Sequence, residues 1–171
     1  MIIVDASPLI VLTKTKRLTL LREVYGEVCI GPWVRSEVVD RGRTVDPSCV
    51  IQIEAALAER WIREVRPSAR VKSLTRQLMT GTRLGAGEAE SLALARLRRL
   101  MIVLDDKEAR VMAATMGVPH VGTAGVLLAA FLRGYLSYEP LEESVRDLSR
   151  VLWLSPEVVA EILRRGRDLQ R

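Results

Sequence analysis

Several acids in this chain stand where solvation alone does not explain them. Asp5 closes a short apolar run, MIIVD, and Asp105-Asp106 close another, MIVLDD. In an open parallel sheet, ligands bind beyond the carboxyl ends of the strands, above all where strand order reverses, so acids at two strand ends point toward one crevice. A plainer role is open to each as a helix cap, Asp5 ahead of Ser7-Pro8 and Asp105 or Asp106 ahead of Lys107. Glu88 follows Leu84-Gly-Ala-Gly at a helix start, with Glu90 two residues on. The helix dipole stabilises acids in a first turn, while Gly85 and Gly87 allow close backbone approach at that turn. Glu37, in PWVRSEVVD, sits beside Val34 and Val38 at the edge of an apolar helical stripe, where a half-buried carboxylate wants a partner and a metal is one.

What the chain lacks sharpens the chemistry. Its one histidine, His120, lies in a strand-like VPHVG run and reads as structural. Cys29 and Cys49 sit in apolar runs and read as inert buried thiols. A cluster built only of carboxylates selects a hard cation, Mg²⁺ or Mn²⁺, over zinc. Such ions serve phosphate chemistry, orienting water, lowering its pKa and neutralising charge on the attacked oxygens.

Phosphate chemistry needs cations as well. The chain carries 26 Lys and Arg against 21 Asp and Glu, a formal charge of +5. Residues 60–83 alone contribute +6, since Arg60, Arg63, Arg66, Arg70, Lys72, Arg76 and Arg83 face only Glu64. The remainder is therefore close to neutral. A basic run is either a solvated face or a phosphate contact, and its centre, RPSAR, reads as a loop or hinge. Arg96, Arg98 and Arg99 are further candidates for holding a backbone.

These residues must be positioned by an alternating framework. Short β-like runs at 2–5, 27–31, 61–65, 101–105 and 119–122 are interleaved with helical spacing at 8–16, 32–41, 47–60, 87–99, 107–116 and 123–133. That alternation is the mark of an α/β fold with a largely parallel sheet. Ser7-Pro8, Gly31-Pro32 and Ser155-Pro156 each read as a cap followed by proline at the first helical position. The stretch from Glu139 onward reads as two further helices without a strand. No apolar run approaches the ~18 residues of a membrane span, and MIIVDASPLI has no basic n-region, so neither a span nor a signal peptide is expected. The expected location is the cytoplasm.

Taken in order, IIVDASPLIVL, IGPWVRSEVV, LGAGEAESLALA, IVLDDKEAR and VGTAGVLLAAFLRG resemble the PIN-domain superfamily, in particular its uncharacterised PIN-like branch allied to VapC toxins. The resemblance spans about residues 2–136. It implies an α/β fold of three layers, α/β/α, with a five-stranded parallel sheet in the order 3-2-1-4-5. It also implies a nuclease domain at 1–136, with residues 137–171 as a helical extension that packs on the domain or forms an oligomer interface. The implied activity is Mg²⁺- or Mn²⁺-dependent endoribonuclease hydrolysis of RNA phosphodiesters, of the toxin–antitoxin kind. Asp5, Glu37, Glu88 and Asp106 match the family's metal acids, with Asp105 open as the fourth and Glu90 the less favoured occupant of the third position. Ser7 matches a small hydroxyl that assists catalysis, and Thr123 falls where the branch keeps a Gly-Thr pair. Arg70, Lys72, Arg76, Arg83 and Thr123 are the expected nucleic-acid contacts. RNA, a small antitoxin protein and a second copy of the chain are the implied partners, with no membrane among them. Two departures stand out: Leu104 where many active members have threonine, and Glu88 where aspartate is commoner.

Rival readings are weaker on the residues. A phosphoryl-transfer site with a strand-end nucleophile would show Asp-x-Asp, but Asp5 is followed by Ala6 and Ser7. GTRLGAG lacks the Lys-Ser/Thr ending of a phosphate-binding loop and reads as a helix entry. A catalytically inactive PIN-like module that binds nucleic acid or protein is the main alternative. With seven aromatics (three Trp, three Tyr, one Phe), base stacking is not expected to dominate recognition. Near the C-terminus Val151, Leu152, Trp153, Leu154, Val158, Val159, Ile162 and Leu163 form a dense apolar set that packs on the domain, pairs two copies or receives an antitoxin helix.

Overall fold

The structure, a computed structural model, describes residues 1–168. Five parallel strands, β1 (Ile2–Val4), β2 (Val28–Ile30), β3 (Ile62–Glu64), β4 (Ile102–Val103) and β5 (His120–Val121), form one sheet in the order β3-β2-β1-β4-β5. The chain steps outward from β1 through β2 to β3, then crosses back to β4. Strand order therefore reverses between β1 and β4, the place where such sheets open a crevice at their carboxyl ends.

The strands are short and almost wholly apolar because both faces of the sheet are covered. Alternation in β1 divides the core. Ile2 and Val4 face one cluster with helices α1 (Ala6–Lys14), α2 (Leu20–Tyr25), α5 (Pro47–Ala58) and α9 (Thr123–Leu132). Ile3 faces the other, with α6 (Ala69–Gly81), α7 (Ala86–Arg98) and α8 (Lys107–Thr115). Leu141, Val145 and Leu148 of α10 (Tyr138–Val151), with Ile162 of α11 (Pro156–Asp168), are buried in the first of these clusters. Between β2 and α5 the chain winds as α3 (Pro32–Arg35), a π-helical turn (Ser36–Arg41) and α4 (Gly42–Val45). No helix among the described residues is long and apolar enough to cross a membrane.

Three local differences from the sequence expectations bear on the site. Helix α1 begins at Ala6 with Asp5 as its extended cap residue, so Ser7 is already in the first turn and Pro8 is its third residue. Proline is tolerated there because first-turn amides have no intrahelical acceptor. Residues 69–81, inside the basic segment, form helix α6, whose entry is capped by the Ser68 hydroxyl accepting from the Val71 amide at 3.3 Å. Only the first part of RPSAR is a loop. The expected single helix over 32–41 is instead α3 followed by the π turn, an irregularity that proteins often keep at functional sites.

Candidate active site

Asp5, at the end of the central strand, is 6 % exposed. Burial pushes its carboxyl up to about 7, and Glu88 and Glu37 add to the rise against opposing hydrogen bonds from the Ala6 amide and the Ser91 hydroxyl. Ser91 donates to Asp5 Oδ1 at 3.2 Å and is itself buried. Around Asp5 a cleft of about 310 Å³ is lined by Ser7, Trp33, Glu37, Arg41 and Glu88. Three acids from distant parts of the chain thus share one cleft at the strand-order reversal.

Each acid is delivered by a different device. Glu37 rides on the π turn, where burial of Val34, Val38 and Val39 fixes the helix face and leaves the carboxylate outward toward the cleft. Glu88 is half-buried in the first turn of α7, and its Oε2 accepts from the Gly85 amide at 2.8 Å. That is the acid half of a capping box, whose other half a glycine cannot supply. Burial raises the Glu88 carboxyl above its ordinary range, and the charges of Asp106, Glu37 and Glu108 raise it further against the Gly85 amide. Asp106 is exposed at the head of α8, where its Oδ1 accepts from the Ala109 amide at 2.8 Å.

Asp105 and Thr123 are locked to each other. The Thr123 amide donates to Asp105 Oδ1 at 2.8 Å and its hydroxyl to Oδ2 at 2.6 Å, so both carboxylate oxygens serve the head of α9. Thr123, an expected nucleic-acid contact, is fully buried in this pairing. Glu90 is likewise buried, with Oε2 accepting from the Trp33 amide at 2.9 Å, and it holds the head of α3 against α7. Its carboxyl is raised by burial against that bond.

The acids suit a hard cation in kind and in setting. All are carboxylates, Asp5 is buried among like charges, and the space between them is kept open by a glycine. A Cβ at Gly87 would stand 3.4 Å from Glu37 Oε2 and 3.9 Å from Asp5 Oδ1. Among the described residues, however, no three His, Cys, Asp or Glu side chains are gathered closely enough to grip an ion as they stand. The physical reason is local: Glu88 and Asp106 are turned back onto the amides of their own helices.

The expected cations divide by position. Arg70, Lys72 and Arg76 are exposed on α6, and Arg83 lies in the loop leading to α7. Arg63 is taken by Glu27 at 2.7 Å. Arg96, Arg98 and Arg99 are exposed at the far end of α7; with a rise of ~1.5 Å per residue they lie roughly 12–17 Å along the helix from Glu88, which removes them from the cleft. His120 points Nδ1 at the Val118 carbonyl at 3.1 Å, and both cysteines are buried free thiols. Ser91, Arg41 and Trp33 stand outside the expected set. The first two carried a signal, Ser91 three residues after Glu88 and Arg41 four after Glu37, each on the face of its acid.

A family profile described as a PIN domain matches residues 1–167 of the chain. No curated protein and no solved structure matches it.

Proposed function

The chain belongs to the PIN-domain family, a nuclease fold, and on that premise we propose that it is a divalent-metal-dependent endoribonuclease. The observation that carries the reading is the convergence of Asp5, Glu37 and Glu88 around Gly87 at the strand-order reversal. Asp5, Glu37, Glu88 and Asp106 would hold Mg²⁺ or Mn²⁺, with Asp105 supporting the set through its pairing with Thr123. When bound, such an ion activates water and neutralises charge on the phosphoryl oxygens.

The chain's own groups do the rest. Ser91 orients the Asp5 carboxylate by its hydrogen bond. Ser7, in the first turn of α1 at the cleft, would donate to a substrate oxygen. Arg41 brings a guanidinium to the rim of the cleft, where a scissile phosphate meets a planar donor fork. Arg70, Lys72, Arg76 and Arg83 attract the rest of the backbone. A toxin-type role, with a small antitoxin and a homodimer as partners, extends the same proposal on the strength of the resemblance.

A second reading has one observation in its favour. Glu88 and Asp106 are already employed as helix caps, the arrangement expected of a module that keeps the fold and binds nucleic acid or protein without cutting it. One assay separates the two. The nuclease reading expects Mn²⁺-stimulated RNA cleavage that disappears in Asp5→Asn, and equal background in variant and parent would sink it.

A further inference from the structure

Trp33 borders two cavities. On one side it lines the acid cleft; on the other it lines a groove of about 840 Å³ between the head of α3 and helix α6. Trp33 is 48 % exposed and Met79, which lines the same groove, is 43 % exposed. Helix α6 turns Lys72, Arg76 and Met79 to the groove at i, i+4 and i+7, while Val71, Thr75 and Leu78 anchor it in the core. Arg66 joins from the loop before α6. Among the described residues none of Arg66, Lys72 and Arg76 makes an ion pair. The acid in the groove, Glu90, has an oxygen committed to the Trp33 amide.

An open aromatic face beside a thioether, flanked by three unpaired cations, matches an unpaired base with its flanking phosphates. Duplex nucleic acid would use the cations but hide its base faces from the indole. The groove adjoins the acid cleft, with Trp33 lining both. We propose that the groove between Trp33 and α6 holds the single-stranded RNA next to the bond to be cut, with one base stacked on the Trp33 indole beside Met79 and the backbone phosphates on Arg66, Lys72 and Arg76. This rests on the ribonuclease reading above and adds what that reading does not contain: a stacking site for one base on Trp33, and a path for the strand along α6. One platform is enough for this, so a chain poor in aromatics can still depend on stacking at one point.

The test is binding of a labelled single-stranded RNA oligonucleotide to the full chain, followed by fluorescence anisotropy in EDTA so that cutting does not intervene. Trp33→Ala is expected to weaken binding about tenfold or more, the size of a missing base–aromatic stack, while Trp33→Phe retains most of it. Met79→Glu, a change at an exposed position, is expected to weaken it too. Lys72→Gln with Arg76→Gln should lower the salt dependence by about 1.4 in log–log slope, ~0.7 for each phosphate no longer neutralised. Hairpin duplex RNA should show no dependence on residue 33. Unchanged single-strand binding in both Trp33→Ala and Met79→Glu overturns the groove, as does an equal loss for duplex. If the groove fails this way while Asp5→Asn still abolishes cleavage, the nuclease reading survives alone. If the Trp33 effect appears in a parent that never cuts RNA, the groove stands and the nuclease reading falls.

Discussion

Asp5 joins the fold to its chemistry through one carboxyl group. In water it would ionise near 3.8, and burial among acids moves it to about 7. The folded chain then keeps, between those values, a proton that the unfolded chain releases, so the metal-free fold loses stability as pH rises from 3.8 toward 7 and levels off above. Asp5→Asn removes the charge without removing the shape. Relative to the parent, it should stabilise the metal-free chain by on the order of a few kcal/mol at pH 8 and leave stability at pH 4 nearly unchanged. Urea denaturation of both proteins in EDTA across that range gives the answer; a difference independent of pH would contradict the buried acid. The same proton competes with a cation, so Mn²⁺ should raise the parent's melting temperature more at pH 8 than at pH 6, and should do little for the variant.

The head of α7 shows how an element can serve a site at the expense of its own stability. Glycine within a helix costs roughly 0.5–1 kcal/mol relative to alanine. Gly87 occupies the first turn of α7, and an added Cβ there would make ordinary contacts with Val34 at 3.8 Å and with the Glu37 and Asp5 carboxylates. Gly87→Ala is therefore expected to raise the melting temperature slightly while lowering cleavage by about tenfold or more, because a methyl takes the space between the acids; activity equal to the parent's would show that the space is not used. The glycine at 31 behaves in the opposite way. A Cβ there would collide with the Glu90 carboxylate, so Gly31→Ala should break the bond to the Trp33 amide and cost about 1–3 kcal/mol, read as a lower urea midpoint. How far such elements are legible in the sequence follows from the range of the forces involved. The strands and the acids at their ends are readable because apolar runs, turns and caps are local signals, whereas the order of the strands in the sheet follows only from the family resemblance carried by the five ordered motifs. Helix α6 is harder to read, for although Val71, Leu74, Thr75 and Leu78 carry its periodicity, the cations between them give the segment the look of a solvated basic run. The Glu90–Trp33 and Asp105–Thr123 pairings join residues 57 and 18 apart in sequence, and no local pattern announces a tertiary hydrogen bond.

At the scale of the whole molecule, the charge separates into an acid cleft and a basic flank, and the C-terminal helices complete the side of the sandwich away from α6. Leu141, Val145, Leu148 and Ile162 are each less than 5 % exposed and share the cluster of Ile2 and Leu9. Arg17 Nε donates to Ser144 at 2.8 Å, tying α1 to α10. Each large aliphatic side chain so buried contributes roughly 1.5–3 kcal/mol, so together they rival the ~5–15 kcal/mol that holds an average domain folded. A chain ending at Ser137 is accordingly expected to lose its cooperative thermal transition, and an unchanged transition would mean that α10 and α11 stabilise something other than this core. Trp153 obeys a different logic, for it lies between the two helices and is 84 % exposed. Trp153→Ser should leave the folding of a single chain almost untouched, since surface changes away from special features stay within about 0.5 kcal/mol. If two copies meet through that indole, light scattering will give a dimer for the parent and half the mass for the variant; a monomeric parent removes the homodimer and leaves the exposed indole to a different partner.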